Sequence, residues 1–432
     1  MQTASKKVIN GWAMYDWANS VYNLVITTTF FPIYFAASTK SAFGDEQIPF
    51  LGRKFINSAL YDYTLCIAYF LVALMYPILA SIADARGTKK RFMRFFCYLG
   101  VVGCASLFFF QGSNVGFGVL MFMMAAIGYS GSLVFYNSYL PEIAAPEDRD
   151  RVSARGFSFG YIGSVILQLV GFGLVILLPD AGMATRITFL LVGIWWFGFA
   201  QIAFTRLPNG QGNPEKDQNV FKAGFQELKK VHGQVMQMPV LKRYLRAFFF
   251  YSMGVQTVML AATLFGSKVL GLDDTKLIIT VVLIQLVAIV GAWTMSRLSA
   301  RFGNFRVLMG VIFFWILICI AAFYTAEMKE AGGNAEFAFY GLAISVGLVM
   351  GGIQSLSRST YSKLMPETKD TASFFTYYDF TEKIAIALGI LSFGFIEELT
   401  GNMKNSILSL IVFFVIGLVW LYSAHRKQAQ SQ

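Results

Sequence analysis

Charged residues are scarce in this 432-residue sequence: Asp, Glu, Lys and Arg together make up 14% of it, against about a quarter in ordinary soluble domains. That shortage excludes a conventional soluble globular chain. Histidine is nearly absent, with only His232 and His425, both in polar segments, so neither a His-ligated metal site nor an intramembrane His relay is expected. Cys66, Cys97, Cys104 and Cys319 lie apart in apolar runs and form no Cys-x-x-Cys pair. They read as small core residues that imply neither a disulfide nor a metal. The phosphate-binding string Gly-x-x-x-x-Gly-Lys-Ser/Thr does not occur, which argues against direct ATP drive.

What the chain has instead is apolar surface, with 56% hydrophobic and 16% aromatic residues. A membrane-crossing helix needs roughly 20 apolar residues, and twelve stretches qualify: 12–37, 59–83, 92–110, 116–140, 156–178, 186–206, 244–267, 276–297, 305–325, 337–357, 374–396 and 405–424. They are apolar all round and contain Gly and Pro, whereas β-barrel strands would alternate over about ten residues. The first is too long and too rich in Trp, Tyr and Asn for a secretory leader. The expected fold is therefore all-α and membrane-embedded, with twelve spans.

The net charge of +11 raises the question of a nucleic-acid partner, and the positions of the charges answer it. With both termini in the cytoplasm, 26 of the 35 Lys and Arg residues fall on that side, as the positive-inside rule requires. The basic excess reads as topology and contact with anionic headgroups, with no nucleic acid as partner. A multi-pass protein of the cell (inner) membrane, with both termini cytoplasmic, is expected.

One long polar stretch divides the spans six and six: an N-terminal half over 1–206, a cytoplasmic loop over 207–243, and a C-terminal half with a short tail over 244–432. Within the loop Phe221, Phe225, Leu228 and Val235 recur at helical spacing beside lysines. This suits a short amphipathic helix on the membrane surface, with a solvated linker as the alternative. The halves repeat faintly. Tyr136-Asn137-Ser138-Tyr139-Leu140-Pro141-Glu142 closes span 4 and Tyr361-Ser362-Lys363-Leu364-Met365-Pro366-Glu367 closes span 10, an internal symmetry common among transporters.

Span 11 is the most informative stretch. Asp379, Glu382 and Lys383 interrupt it, each charge costing roughly 2.5–3.5 kcal/mol at mid-bilayer. Asp379 and Lys383 are four apart on one face, so an internal pair is available. Otherwise Lys383 could take a substrate carboxylate while a desolvated acid carries a coupling proton. In span 10, Gln354, Arg358 and Tyr361 share a stripe. Arg358 either binds an anionic group or snorkels toward the interface. In span 1, Asp16, Asn19 and Asn23 share a face; Asp16 lines a cavity or answers the helix dipole, and the asparagines line that cavity or bond across helices. Arg155, Gly156 and Gly160 open span 5, where a packing role is favoured over a hinge. Gln168, Gln201, Gln256 and Gln285 are read as interhelical hydrogen-bonding groups.

The segment from Ala80 through Asp84, Arg86, Gly87 and Lys89 to Arg91 resembles the signature between helices 2 and 3 of the major facilitator superfamily, where it latches one conformational state. At the second copy Ala300 stands where Asp84 does in the first, so a latch there is expected to lack its charge. Further motifs are Tyr15-Asp16-Trp17-Ala18-Asn19-Ser20, Asn137-Ser138-Tyr139-Leu140-Pro141-Glu142-Ile143, Ser153-Ala154-Arg155-Gly156-Phe157 with Gly160-Tyr161, Gly352-Ile353-Gln354-Ser355-Leu356-Ser357-Arg358-Ser359, and Phe374-Phe375 with Tyr378 and Lys383. Together they resemble the vacuolar amino-acid effluxer-like family and its bacterial relatives, with departures at Ser373, Glu382 and Ile390.

The resemblance implies two six-helix bundles around a central cavity lined by spans 1, 4, 5, 7, 8, 10 and 11, with Asn137 among its candidates. It also implies export of a small polar solute such as an amino acid or organic acid. No cofactor beyond a coupling proton is expected, and the chain is expected to be monomeric. Rival readings are a hydrophobic-drug exporter, a transporter-like sensor and an intramembrane enzyme; the last would need a nucleophile with a base, or a metal cluster.

Overall fold

The computed structural model describes residues 2–210 and 220–431. Six long helices come first: α1 Lys6–Phe43, α2 Asn57–Arg86, α3 Lys89–Phe109, α4 Val115–Ile143, α5 Arg149–Leu177 and α6 Ala181–Arg206. A connecting helix α7, Val220–Gln237, follows. Six more complete the chain: α8 Pro239–Leu264, α9 Asp274–Phe302, α10 Asn304–Glu330, α11 Glu336–Leu364, α12 Thr371–Thr400 and α13 Met403–Ser431. Spans 7 to 12 of the sequence are thus α8 to α13.

Among the described residues ten of these are long and apolar enough to cross a membrane. The other two of the twelve expected are α8, whose residues 247–264 are an uncharged and mostly apolar run, and α12, which carries Asp379, Glu382 and Lys383. Both have the length, 26 and 30 residues, and both pack among the others. Phe70, Ile176, Phe337 and Leu391 are exposed on the outer surface, an apolar exterior that only a bilayer would cover.

The buried side chains form two clusters. One draws on residues from Ile9 to Leu207 and takes in Ala372; the other draws on Val231 to Ala424 and takes in Leu24 and Tyr161. The three strays mark where the halves touch: α2 packs on α12, and α5 on α9 and α11. A central space is left between them.

Three local features depart from a uniform helical picture. In α1 the turns over Tyr22–Phe30 widen to a π-helix before Pro32; the Thr28 and Thr29 hydroxyls both donate to the Leu24 carbonyl, at 2.9 and 2.8 Å, as helices interrupted in membranes require. Between α1 and α2 a small antiparallel hairpin, β1 Gln47–Phe50 and β2 Arg53–Ile56, is added to the helical fold. Its two-residue turn places Leu51 at φ 48° and Gly52 at φ 77°, the positive-φ pair of a type I′ turn. The third is α7, which packs on α2 and α12, with Val231 and Val235 fully buried against the second core. It is docked on the protein through these residues. The side chains of Phe221, Phe225 and Leu228 lie outside the described residues.

Candidate transport site

Arg358 is the centre of the space between the halves. Its side chain is 4% exposed, so it does not snorkel. Nε donates to Ser153 Oγ at 3.0 Å and Nη2 to the Ser153 carbonyl at 2.9 Å. Nη1 reaches Asn137 Oδ1 at 3.2 Å, and both terminal nitrogens reach Asp16 Oδ2 at 3.4 Å. Tyr136 donates to the same carboxylate oxygen at 2.6 Å. The guanidinium lies over the rings of Phe157 and Trp12, 4.2 and 4.7 Å from their centroids, the stacked setting that suits Arg better than Lys. Asp16 sits well inside α1, which begins at Lys6, so it answers Arg358 and not the helix dipole. Gly156 makes room: a Cβ there would stand 2.9 Å from Tyr136 Oη and 3.0 Å from Arg358 Nη2. Its absent side chain serves this cluster, and Gly160 likewise lets α5 approach Ser20 and the Asp16 carbonyl. Arg155 points away, exposed, over the Phe159 ring.

A second group sits on α12. Lys383 Nζ lies 3.8 Å from Glu382 Oε2 and 4.7 Å over the ring of Tyr69 from α2. The pairing that helical spacing suggested, Asp379 with Lys383, does not form. Asp379 Oδ1 accepts instead from Asn137 at 3.5 Å, and its buried Oδ2 has no hydrogen-bond partner. Gln256 reaches Glu382 at 3.5 Å, and Tyr161 donates to Gln354 at 2.7 Å. Asn137 therefore joins the two groups, touching Arg358 with its oxygen and Asp379 with its nitrogen.

Asp16, Asn23, Asn137, Gln354, Arg358, Asp379, Glu382 and Lys383 line one cavity with about 1240 Å³ of space, part of it open to solvent. Two candidates are not among its lining. Asn19 is fully buried, with neither amide atom hydrogen-bonded. Tyr361 is also fully buried and donates to the Phe374 carbonyl at 2.6 Å. The lining corrects the expected set of helices in one respect: α2 contributes Tyr69 and Tyr76, and α9 contributes nothing. It also adds aromatic residues that sequence reasoning missed, Tyr129, Phe157, Phe248 and Tyr251 among them. Only proximity in the fold identifies these, since Tyr and Phe recur in every span but the eighth. Gln168 and Gln285 bond to each other across the halves at 2.8 Å.

The two ends of the repeat meet the opposite half differently. Asp84, at the end of α2, caps α12 from the other half. It accepts from the Ala372 and Ser373 amides at 3.2 and 2.9 Å and from the Ser373 hydroxyl at 2.8 Å, an acid at a helix N-terminus. Gly87 ends α2 at φ 65°, which lets the chain turn so that buried Lys89 approaches Asp84 to 3.5 Å and bonds Glu142 and Thr371. Arg86, the other basic residue of the signature, is exposed. At the second copy the missing charge comes from the partner half: Asp150, in the first turn of α5, accepts from Ser299, Asn304 and Lys363 at 2.7, 2.8 and 2.7 Å. The expectation of a chargeless second latch is corrected, because the acid stands on the opposite helix. Both contacts are made, so the structure is closed on this face.

Solved structures of transporters share this architecture. A bacterial homologue of the iron transporter ferroportin in its outward-facing state aligns over 97% of this chain and 98% of its own, at a TM-score of 0.70 and 13% identity. The proton:xylose symporter XylE aligns over 96% and 95%, at 0.71 and 12%. The fold is thus that of the major facilitator transporters. Residues 4–432 match the family described as vacuole effluxer Atg22 like, and the chain belongs to that family. It is 32% identical to the MFS-type transporter YxiO of Bacillus subtilis (strain 168) over 95% of this chain and 93% of the relative. It is 24% identical to autophagy-related protein 22 of Eremothecium gossypii over 96% and 90%.

Proposed function

We propose that the protein is a secondary active exporter of a small polar solute, an amino acid or related organic acid, working by alternating access with a coupling proton. The observation that carries the reading is the cavity between the halves, where Asp379 Oδ2 and the Glu382–Lys383 pair retain unused hydrogen-bonding capacity. A solute bearing both a carboxylate and an amine can use an ammonium and a carboxylate at once, and a desolvated site makes each contact stronger. The description of the matched family as vacuole effluxer like supports export, and the 26 basic residues expected on one side support termini in the cytoplasm. With that orientation the closed face is cytoplasmic, so the structure corresponds to a state that releases solute outward.

The test is uptake of labelled amino acids and organic acids into sealed proteoliposomes under an imposed pH gradient. Saturable flux that depends on the gradient supports the reading. Absence of flux across the panel by folded protein defeats it and favours the hydrophobic-compound exporter that the Tyr and Phe lining would also suit. Flux of the solute that is indifferent to the gradient leaves the transporter but removes the proton.

A further inference from the structure

A second cleft, with about 580 Å³ of space, opens between α7, α8 and α12. Two cations stand at it. Lys242 is half-buried, and Arg246 is exposed with its guanidinium 4.6 Å over the Trp420 ring, which holds the group in place while leaving its donors uncommitted. Neither makes an ion pair among the described residues. No acid lines the cleft among the described residues, and Glu227 and Asp370 are taken by Lys230, at 3.2 and 3.4 Å. Apart from Tyr377 and Thr381 the remaining wall is apolar, with Met236 exposed and Phe249 and Phe250 partly so. An unbalanced pair of cations beside aromatic and aliphatic surface has the chemistry of one ligand class: a phosphate carrying hydrocarbon.

We propose that this cleft binds an anionic phospholipid, its phosphate between Lys242 and Arg246 and an acyl chain along Met236, Phe249 and Phe250. The protein's apolar exterior places the site among lipids, and basic clefts beside membrane helices collect anionic headgroups. The cleft also lies where it matters for the transport cycle. Its α7 wall packs on α2 and α12, the helices that Asp84 joins, and His232 of α7 meets Tyr377 of α12 at 3.3 Å. A lipid tying α7 to α8 therefore stabilises the state in which the Asp84 contact is made.

The experiment uses the full chain, delipidated in detergent and then offered phosphatidylglycerol or phosphatidylcholine of the same chain length, with bound lipid counted by native mass spectrometry. Phosphatidylglycerol is expected to persist and phosphatidylcholine to wash away. The double variant Lys242→Ala/Arg246→Ala is expected to hold the anionic lipid roughly tenfold or more weakly, given about one headgroup interaction lost per cation. Met236→Trp keeps both charges and fills the apolar wall, and is expected to exclude the lipid too; it keeps the test decisive if the double variant does not fold. Equal retention of the two lipids, or unchanged retention in Met236→Trp, overturns the proposal. Displacement of phosphatidylglycerol by millimolar inorganic phosphate would overturn it as well, by making the site one for a free anion.

Discussion

Two cations reach the central cavity from the C-terminal half, Arg358 from α11 and Lys383 from α12, and they differ in how fully their donors are used. All three guanidinium nitrogens of Arg358 are hydrogen-bonded, to Asp16, Asn137 and both oxygens of Ser153, and three rings enclose it. Lys383 has an ion-pair partner only at 3.8 Å and is 11% exposed, with Glu382 at 24%. The first is a finished structural joint between α1, α4, α5 and α11. The second retains unused donors beside an acid, Asp379, that retains an unused acceptor. Polar groups buried in protein are normally satisfied, so an unused acceptor and donors that sit together on the cavity wall suit a solute or proton that completes the set.

The comparison predicts opposite outcomes for similar substitutions. Arg358→Ala leaves Asp16 buried without its counter-charge, and breaking a buried pair costs about 3–5 kcal/mol. The expected result is a large loss of thermal stability or of folded protein, read by the melting of detergent-purified material. Restoring neutrality with Asp16→Asn in the same chain should recover part of it. A stable Arg358→Ala protein would mean that the joint is not structural. Gly156→Ala pushes a methyl group against Tyr136 and Arg358 and should cost about 1–3 kcal/mol by overpacking, with flux falling alongside stability.

How much of this was legible follows from the range over which each feature acts. The spans are local: twenty apolar residues in a row announce themselves, even in α12, where Asp379, Glu382 and Lys383 interrupt the run. The importance of Asp379, Glu382 and Lys383 was legible for the same reason, since a charge in an apolar helix stands out. Their pairing was not. Helical spacing suggested Asp379 with Lys383, but Asn137 and Tyr69, which come from the other half, decide where each side chain goes. Asp150 was invisible as a latch because its partners Ser299, Asn304 and Lys363 are remote in sequence and unremarkable in type. The β-hairpin escaped notice because strands of four residues carry almost no pattern.

The two latches sharpen the comparison on a smaller scale. Asp84→Asn keeps the shape but replaces one acceptor by a donor facing the α12 amides, a loss of about 1–2 kcal/mol. That should raise the population open on this face by roughly 5- to 30-fold, measured as faster labelling of a Ser252→Cys reporter in the cavity by a thiol reagent added from this side, in a Cys66→Ser background. Asp150→Asn should act in the same direction but less, because the Lys363 left behind is 25% exposed and water screens it. If the second variant exceeds the first, the capped helix is not the stronger latch.

The smallest effect on stability should come from the residue with the largest effect on transport. Lys383→Ala removes no hydrogen bond, and Glu382 on the cavity wall is 24% exposed, so the change in unfolding free energy should stay within about 1 kcal/mol. Flux should nevertheless fall at least tenfold, about the worth of one charge-assisted contact to a solute carboxylate. Asp379→Asn separates the solute from the proton. With the carboxylate gone, exchange of labelled for unlabelled solute across the membrane should persist, while accumulation against a gradient driven by pH should stop. Loss of both activities together would place Asp379 at the solute itself, and retention of both would remove it from the cycle, leaving Glu382 as the remaining acid on the cavity wall of α12.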